Sequence, residues 1–232
     1  MGRNERRGLS GATSGRRCAG RALGSGALAV LALALAGPGQ EVLAQVCAGG
    51  VTEEGEYAAR GDLNVRNGDT DYGGGVEANF PGRLAAQAGA TFSDDRRRLD
   101  GQVTYDLTRG QVSVCPVVGA EHRTRTRDED HGEVDFNQLR VPVGLTVGSR
   151  LQVADGASLT PSAEGGAFYD RISQEGALDG DWSDTDTGLF TRAGLTLSVG
   201  DAYFRGSVGI DTQTAREDES DLDYRFSAGV RF

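Results

Sequence analysis

Apolar and polar positions alternate without a break along the last nine residues. Tyr224, Phe226, Ala228, Val230 and Phe232 fall on one side, and Arg225, Ser227, Gly229 and Arg231 on the other. Successive side chains of a strand point to opposite faces, so this stretch is a strand with one apolar and one polar face. The same period predicts ten strands, over 57–65, 72–80, 84–92, 99–107, 112–122, 138–153, 159–170, 189–199, 202–211 and 224–232. Their connections alternate in length. The first, third, fifth, seventh and ninth run 6, 6, 15, 18 and 12 residues, and those between them 3, 4, 5 and 2. Pro81-Gly82, Arg109-Gly110, Asp155-Gly156 and Gly200-Asp201 supply turn chemistry to the short set.

One parity per strand carries Leu63, Val76, Phe92, Val103, Val118, Val143, Leu145, Leu195, Phe204 and Val208, with no Asp, Glu or Arg; His122 is its one ionisable residue. The opposite parity carries Arg60, Asp62, Glu77, Asp106, Glu121, Arg140, Glu164, Arg192, Arg205 and Arg225, among others. An Arg facing lipid at a bilayer midplane costs about 2–4 kcal/mol, so a bilayer enforces this kind of segregation. Aromatics on the apolar parity gather at the strand ends. Tyr72, Phe92, Tyr169 and Tyr224 mark one rim; Tyr57, Phe80, Phe204 and Phe232 mark the other.

The N-terminus has a separate logic. Six Arg and one acid occupy residues 1–21, an apolar core runs from Ala27 to Ala36, and Val42-Leu43-Ala44 supplies a cleavage pattern. This predicts a signal peptide over 1–44, a short periplasmic segment over 45–56 and a barrel over 57–232. The apolar core is about half the ~20 residues a spanning helix needs, which argues against a retained anchor. All 24 basic residues are Arg. The leader takes six of them and two of the 34 acids, so the formal charge falls from −10 to −14. That balance argues against nucleic-acid binding.

The cleavage pattern, the alternating body and the terminal Tyr224–Phe232 strand resemble the small bacterial outer-membrane β-barrel proteins. The resemblance implies an all-β, antiparallel up-and-down transmembrane barrel. It also implies that Tyr224, Phe226, Val230 and Phe232 form the signal read by the barrel assembly machinery. Most relatives have eight strands, which stays open as an alternative to ten. The expected partners are outer-membrane lipid and the assembly machinery, with the protein a monomer and no nucleic acid bound. Pro142 sits inside a long strand, and a closed barrel has no edge to hide its missing donor, so a bulge or inward distortion is expected there.

Three Cys occur, and Cys18 leaves with the leader. Cys47 and Cys115 map to the periplasmic end, where oxidising conditions favour a disulfide; two separate thiols are the alternative. The charged interior residues are expected to form a cross-linked network that plugs the lumen, with a narrow ion-selective channel as the competing reading. The three long loops hold fifteen acids against five Arg. Such carboxylates are candidate ligands for Ca²⁺ or Mg²⁺, although no complete EF-hand spacing occurs and solvated loops are the plainer reading. No other cofactor is expected. A hydrolase at the outer rim would have to use His122 or His131, the latter beside Asp128, Glu129 and Asp130, and neither has a matching nucleophile or second acid pair. The sequence therefore predicts a non-enzymatic outer-membrane barrel with a structural or surface role. A passive channel is the runner-up.

Overall fold

A computed structural model describes residue 47 and residues 55–66, 68–108, 112–129, 132–176, 182–213 and 220–232. Eleven strands are formed: β1 Tyr57–Arg66, β2 Asp69–Phe80, β3 Leu84–Phe92, β4 Arg96–Tyr105, β5 Val112–Glu129, β6 Gly132–Ser149, β7 Leu151–Ala154, β8 Ala157–Gly176, β9 Trp182–Val199, β10 Ala202–Gln213 and β11 Ser220–Arg231. β6 and β7 are one stave interrupted at Arg150, and both pair with β8. The result is a closed antiparallel barrel of ten staves.

The seam lies between the first and last strands, in register from Ala58↔Arg231 to Arg66↔Asp223. Tyr57 and Phe232 exchange backbone hydrogen bonds of 3.1 and 3.0 Å, and their rings stack with centroids 6.4 Å apart. The aromatic terminus therefore closes the wall from outside. On the inner side of the same strand, a Cβ at Gly229 would meet the Tyr203 ring at 2.7 Å. Only glycine leaves room there for the fully buried Tyr203 ring.

Closure sorts the side chains by parity as the alternation predicts. Val76, Val103, Val118, Val143, Leu145, Leu195, Phe204, Phe226 and Val230 are exposed on the outer surface, whereas Glu77, Glu121, Arg140 and Asp170 are buried inside. Outward-facing ionisable side chains enter only near one rim. There His122 lies between Leu99 and Leu139, Arg97 pairs with Phe92, and Arg171 and Asp135 lie beyond Tyr169 and Leu139 along their strands.

Three expectations need correction. The alternation of connection lengths is absent, because the staves run further than predicted: β5 and β6 pair out to Glu129↔Gly132, and β8 and β9 to Gln174↔Trp182. Residues 123–129, 132–137, 171–176 and 182–187 are strand, not loop. Beyond the apolar belt both faces tolerate charge, and the backbone ladder holds the pairs together with side-chain hydrogen bonds from Thr126 to Asp135 and from Trp182 to Gln174. Outward Arg does occur, but only in these extensions and at the tip of β4. Finally, of the bulge or inward distortion expected at Pro142, no bulge forms, although the β5–β6 ladder opens beside it. The β5–β6 register is the same on both sides of it, with pairing interrupted only between Val118↔Val143 and Glu121↔Arg140. The ring instead points into the lumen over Gly119, where a Cβ would sit 3.1 Å from the Pro142 Cγ. The absent side chain makes the room that a bulge would have made.

Turns at Gly82, Gly156 and Gly200 all use positive φ. The predicted leader, Arg109-Gly110 and His131 lie outside the described residues.

If the exposed belt faces hydrocarbon, Val76→Arg is expected to lower stability by about 2–4 kcal/mol, against about 0–1 for Thr187→Arg near the rim. Urea titration of the folded protein in lipid vesicles measures the difference.

Candidate functional site in the barrel lumen

The inward parity brings the predicted lumen residues together in three linked groups. The lowest joins β1, β2, β10 and β11. Arg60 donates from Nε to Asp62 Oδ1 at 2.9 Å and from Nη1 to Glu77 Oε1 at 2.8 Å. Arg205 reaches the same Glu77 from across the seam, at 3.0 and 3.2 Å. Ser227 Oγ donates to Asp62 at 2.7 Å. Glu77, only 1% exposed, is thus held between two guanidiniums. A carboxylate so deeply buried needs such compensation.

The second group hangs on Arg140. Its guanidinium grips Asp170 bidentately at 2.9 and 3.0 Å, and donates from Nη1 to Asp211 at 2.5 Å. The carbon at its centre lies 3.9 Å above the Phe168 ring. Gln138 donates to Asp170 at 2.9 Å. A planar fork can satisfy two carboxylates and stack on an aromatic face at once, which an ammonium cannot.

The third group joins β4, β5, β9 and β11, and its Glu121 lies in register with Arg140. Glu121 bridges Arg98, at 2.6 Å, and Arg123. Asp223 bridges Arg225, at 2.8 Å, and Arg192, at 3.6 Å. Further out, Arg125 donates to Asp95 at 2.8 Å, and Arg96 pairs with both Asp95 and Asp69. Slight burial pushes the Asp95 carboxyl up, but the Arg125 hydrogen bond and the charges of Arg125 and Arg96 prevail and hold it below its usual range.

Not every predicted member joins the network. Glu164 lies in register with Arg192 yet forms no ion pair with it. Asp106 makes no ion pair with any described residue and lies instead beside the joined cysteines. Cys47 and Cys115 are bonded, with Cα atoms 5.8 Å apart, at the end of the barrel opposite the long extensions. Tyr224, Phe226, Val230 and Phe232 all face outward along β11. Some members were missed. Arg98, Arg123 and Asp223 lie just beyond the predicted strand ends, and carrying the inward parity one or two residues further would have found them. His122 faces outward, away from every lumen carboxylate.

Arg192–Asp223 and Arg96–Asp69 each pass one stave, and two further links are longer chords that pass two. Arg205–Glu77 passes β11 and β1, and Arg140–Asp211 passes β8 and β9. Between them lies a cavity of about 160 Å³ lined by Arg60, Arg98, Glu121, Glu164, Arg192 and Arg205, enough for a cluster of waters.

No family model matches the chain, and comparison with curated proteins finds no match. Solved structures of bacterial outer-membrane β-barrel proteins are similar to it. Ail, the attachment invasion locus protein of Yersinia pestis, is 16% identical over 78% of this chain and 100% of that one, with a TM-score of 0.42. The outer membrane protease OmpT of Escherichia coli is 8% identical over 77% and 93%, with a TM-score of 0.44. The N-terminal barrel domain of Pseudomonas aeruginosa OprF is 12% identical over 78% and 100%, with a TM-score of 0.37.

Arg140→Met leaves Asp170 and Asp211 facing each other without a countercharge. The expected loss is about 3–5 kcal/mol, against a much smaller one when all three become apolar together. The midpoint of heat-modifiable migration, compared between the two variants, tests the assignment.

Proposed function

We propose that this is a monomeric, non-enzymatic outer-membrane barrel whose charged lumen is closed to solutes, and whose role is structural or surface-exposed. The single observation that carries this reading is the pair of ion-pair chords across an interior walled from an apolar exterior. Outer-leaflet placement of the long β5–β6 and β8–β9 extensions follows from their polar faces, with both termini in the periplasm. Export by a cleaved leader and insertion by the barrel assembly machinery complete the reading. Oxygen-ligand cation binding by the acidic outer segments is a subsidiary proposal.

A narrow channel is the second reading, and the polar cavity between the chords is the observation in its favour. It has charged walls of both signs and would pass ions only where the chords yield. Rim hydrolysis finds little support, since His122 points away from the lumen and its acids.

Planar-bilayer recording separates the two. The native protein is expected to be silent, and the triple variant Glu77→Ala, Arg140→Ala, Arg205→Ala to show discrete openings. Reproducible openings of the native protein would displace the closed barrel in favour of the channel.

A further inference from the structure

Deeply buried carboxylates in this barrel follow one rule with one exception. Glu77, Glu121, Asp170 and Asp211 are each bonded to at least one guanidinium. Asp106 is just as deeply placed, at 7% exposure, and no cation among the described residues pairs with its carboxylate. It accepts from uncharged donors alone: the Thr108 backbone N–H at 2.9 Å, Thr108 Oγ1 at 3.1 Å and Ser113 Oγ at 3.1 Å. A buried carboxylate left without a countercharge is costly, and the usual remedy is an Arg or a metal ion.

What lies beside it is sulfur. Cys47 and Cys115 are 3% and 0% exposed, and one donor atom from each of Cys47, Cys115 and Asp106 lies within 4.8 Å of the others. We propose that these three residues form a redox-controlled site for a thiophilic divalent cation, Zn²⁺ or Cd²⁺ in chemical class. It is closed while the two sulfurs are bonded to each other and available once they are reduced.

Reduction needs two electrons, which a dithiol supplies. Its two S–H bonds and the Cys47–Cys115 S–S bond break, its own sulfurs join, and each cysteine sulfur takes up one proton. The reduced pocket then holds two thiols against an unpaired carboxylate. Ionising either thiol there adds like charge in a buried place, which is unfavourable without a cation. A divalent ion reverses the balance. It displaces both thiol protons to solvent and faces two thiolates and one carboxylate, a donor set suited to Zn²⁺ with a fourth position left for water.

The geometry can accommodate this change. Two thiolates on a tetrahedral zinc lie roughly 3.8 Å apart. The Cα atoms here are already 5.8 Å apart, and Cys47 lies outside the strands of the wall, so the sulfurs can separate without altering the β4–β5 ladder. Asp106 keeps a free lone pair on Oδ2, which accepts only from Ser113 Oγ among the hydrogen bonds described. The cation would therefore tether the N-terminal segment to the barrel mouth when the disulfide cannot. This inference does not depend on whether the lumen conducts.

The test uses the mature protein in detergent, reduced with a dithiol, moved into oxygen-free buffer and titrated with Cd²⁺. The thiolate-to-cadmium charge-transfer absorption reports the sulfur bonds directly. The reduced native protein is expected to take up one equivalent with this signature, and the oxidised protein none. Asp106→Asn keeps both sulfurs and is expected to bind about tenfold or more weakly. No absorption from the reduced native protein would overturn the proposal, as would equal affinity in Asp106→Asn. So would loss of the folded, unheated gel band on reduction that Cd²⁺ does not restore, because the ion must hold what the disulfide held.

Discussion

Everything in this fold depends on the wall having no edge. Once β1 pairs with β11, every stave has a hydrogen-bonded neighbour on each side, with the β5–β6 ladder interrupted only beside Pro142. A side chain then has two places to go, into the lumen or away from it. The period of two becomes a binary choice, and chemistry decides which parity takes which side. An open sheet of the same sequence would leave a row of unpaired amides, which hydrocarbon does not tolerate.

Inside, the choice of cation matters as much as its charge. All the positive charge is arginine, and the lumen uses its planar fork in ways a lysine could not reproduce. Arg140 satisfies two acids from different staves while lying on Phe168; Arg205 spans the seam to a carboxylate that Arg60 already holds. These contacts tie together staves that share no backbone ladder. The disulfide does the same at the mouth, joining Cys47 to β5.

The architecture was legible because a ring of strands repeats one simple instruction, apolar out and polar in, along each stave. The seam was legible in the last nine residues, and the cysteine pairing followed once both were placed at one end. Strand length was not legible. Past Leu139 and Tyr169 both parities become polar, the alternation fades, and an extended hairpin looks like a loop; Arg123, Arg98 and Asp223 were lost from the network for that reason. Pro142 was misjudged because the accommodation comes from Gly119, on the neighbouring stave, and the pairing of those two positions is a matter of register. Partnership was hidden as well. Parity puts Glu164 and Asp106 inside alongside Glu77, but only three-dimensional placement shows that a guanidinium reaches Glu77 and none pairs with the other two.

Buried ion pairs are a poor source of net stability, since well-packed apolar residues of the same size often do as well or better. Their presence here therefore needs another reason, and register supplies one. A one-residue slip of a strand exchanges its two faces. In β9 such a slip would drive Arg192 into the belt and turn Leu195 and Leu197 inward; in β6 it would expose Arg140 and strand Asp170 without its partner. An apolar lumen would leave both faces alike and make the slip nearly free. Charges inside, matched across the seam and across the lumen, make each wrong register costly on two surfaces at once. The ion pairs are best understood as what makes ten weakly individual staves choose a single arrangement.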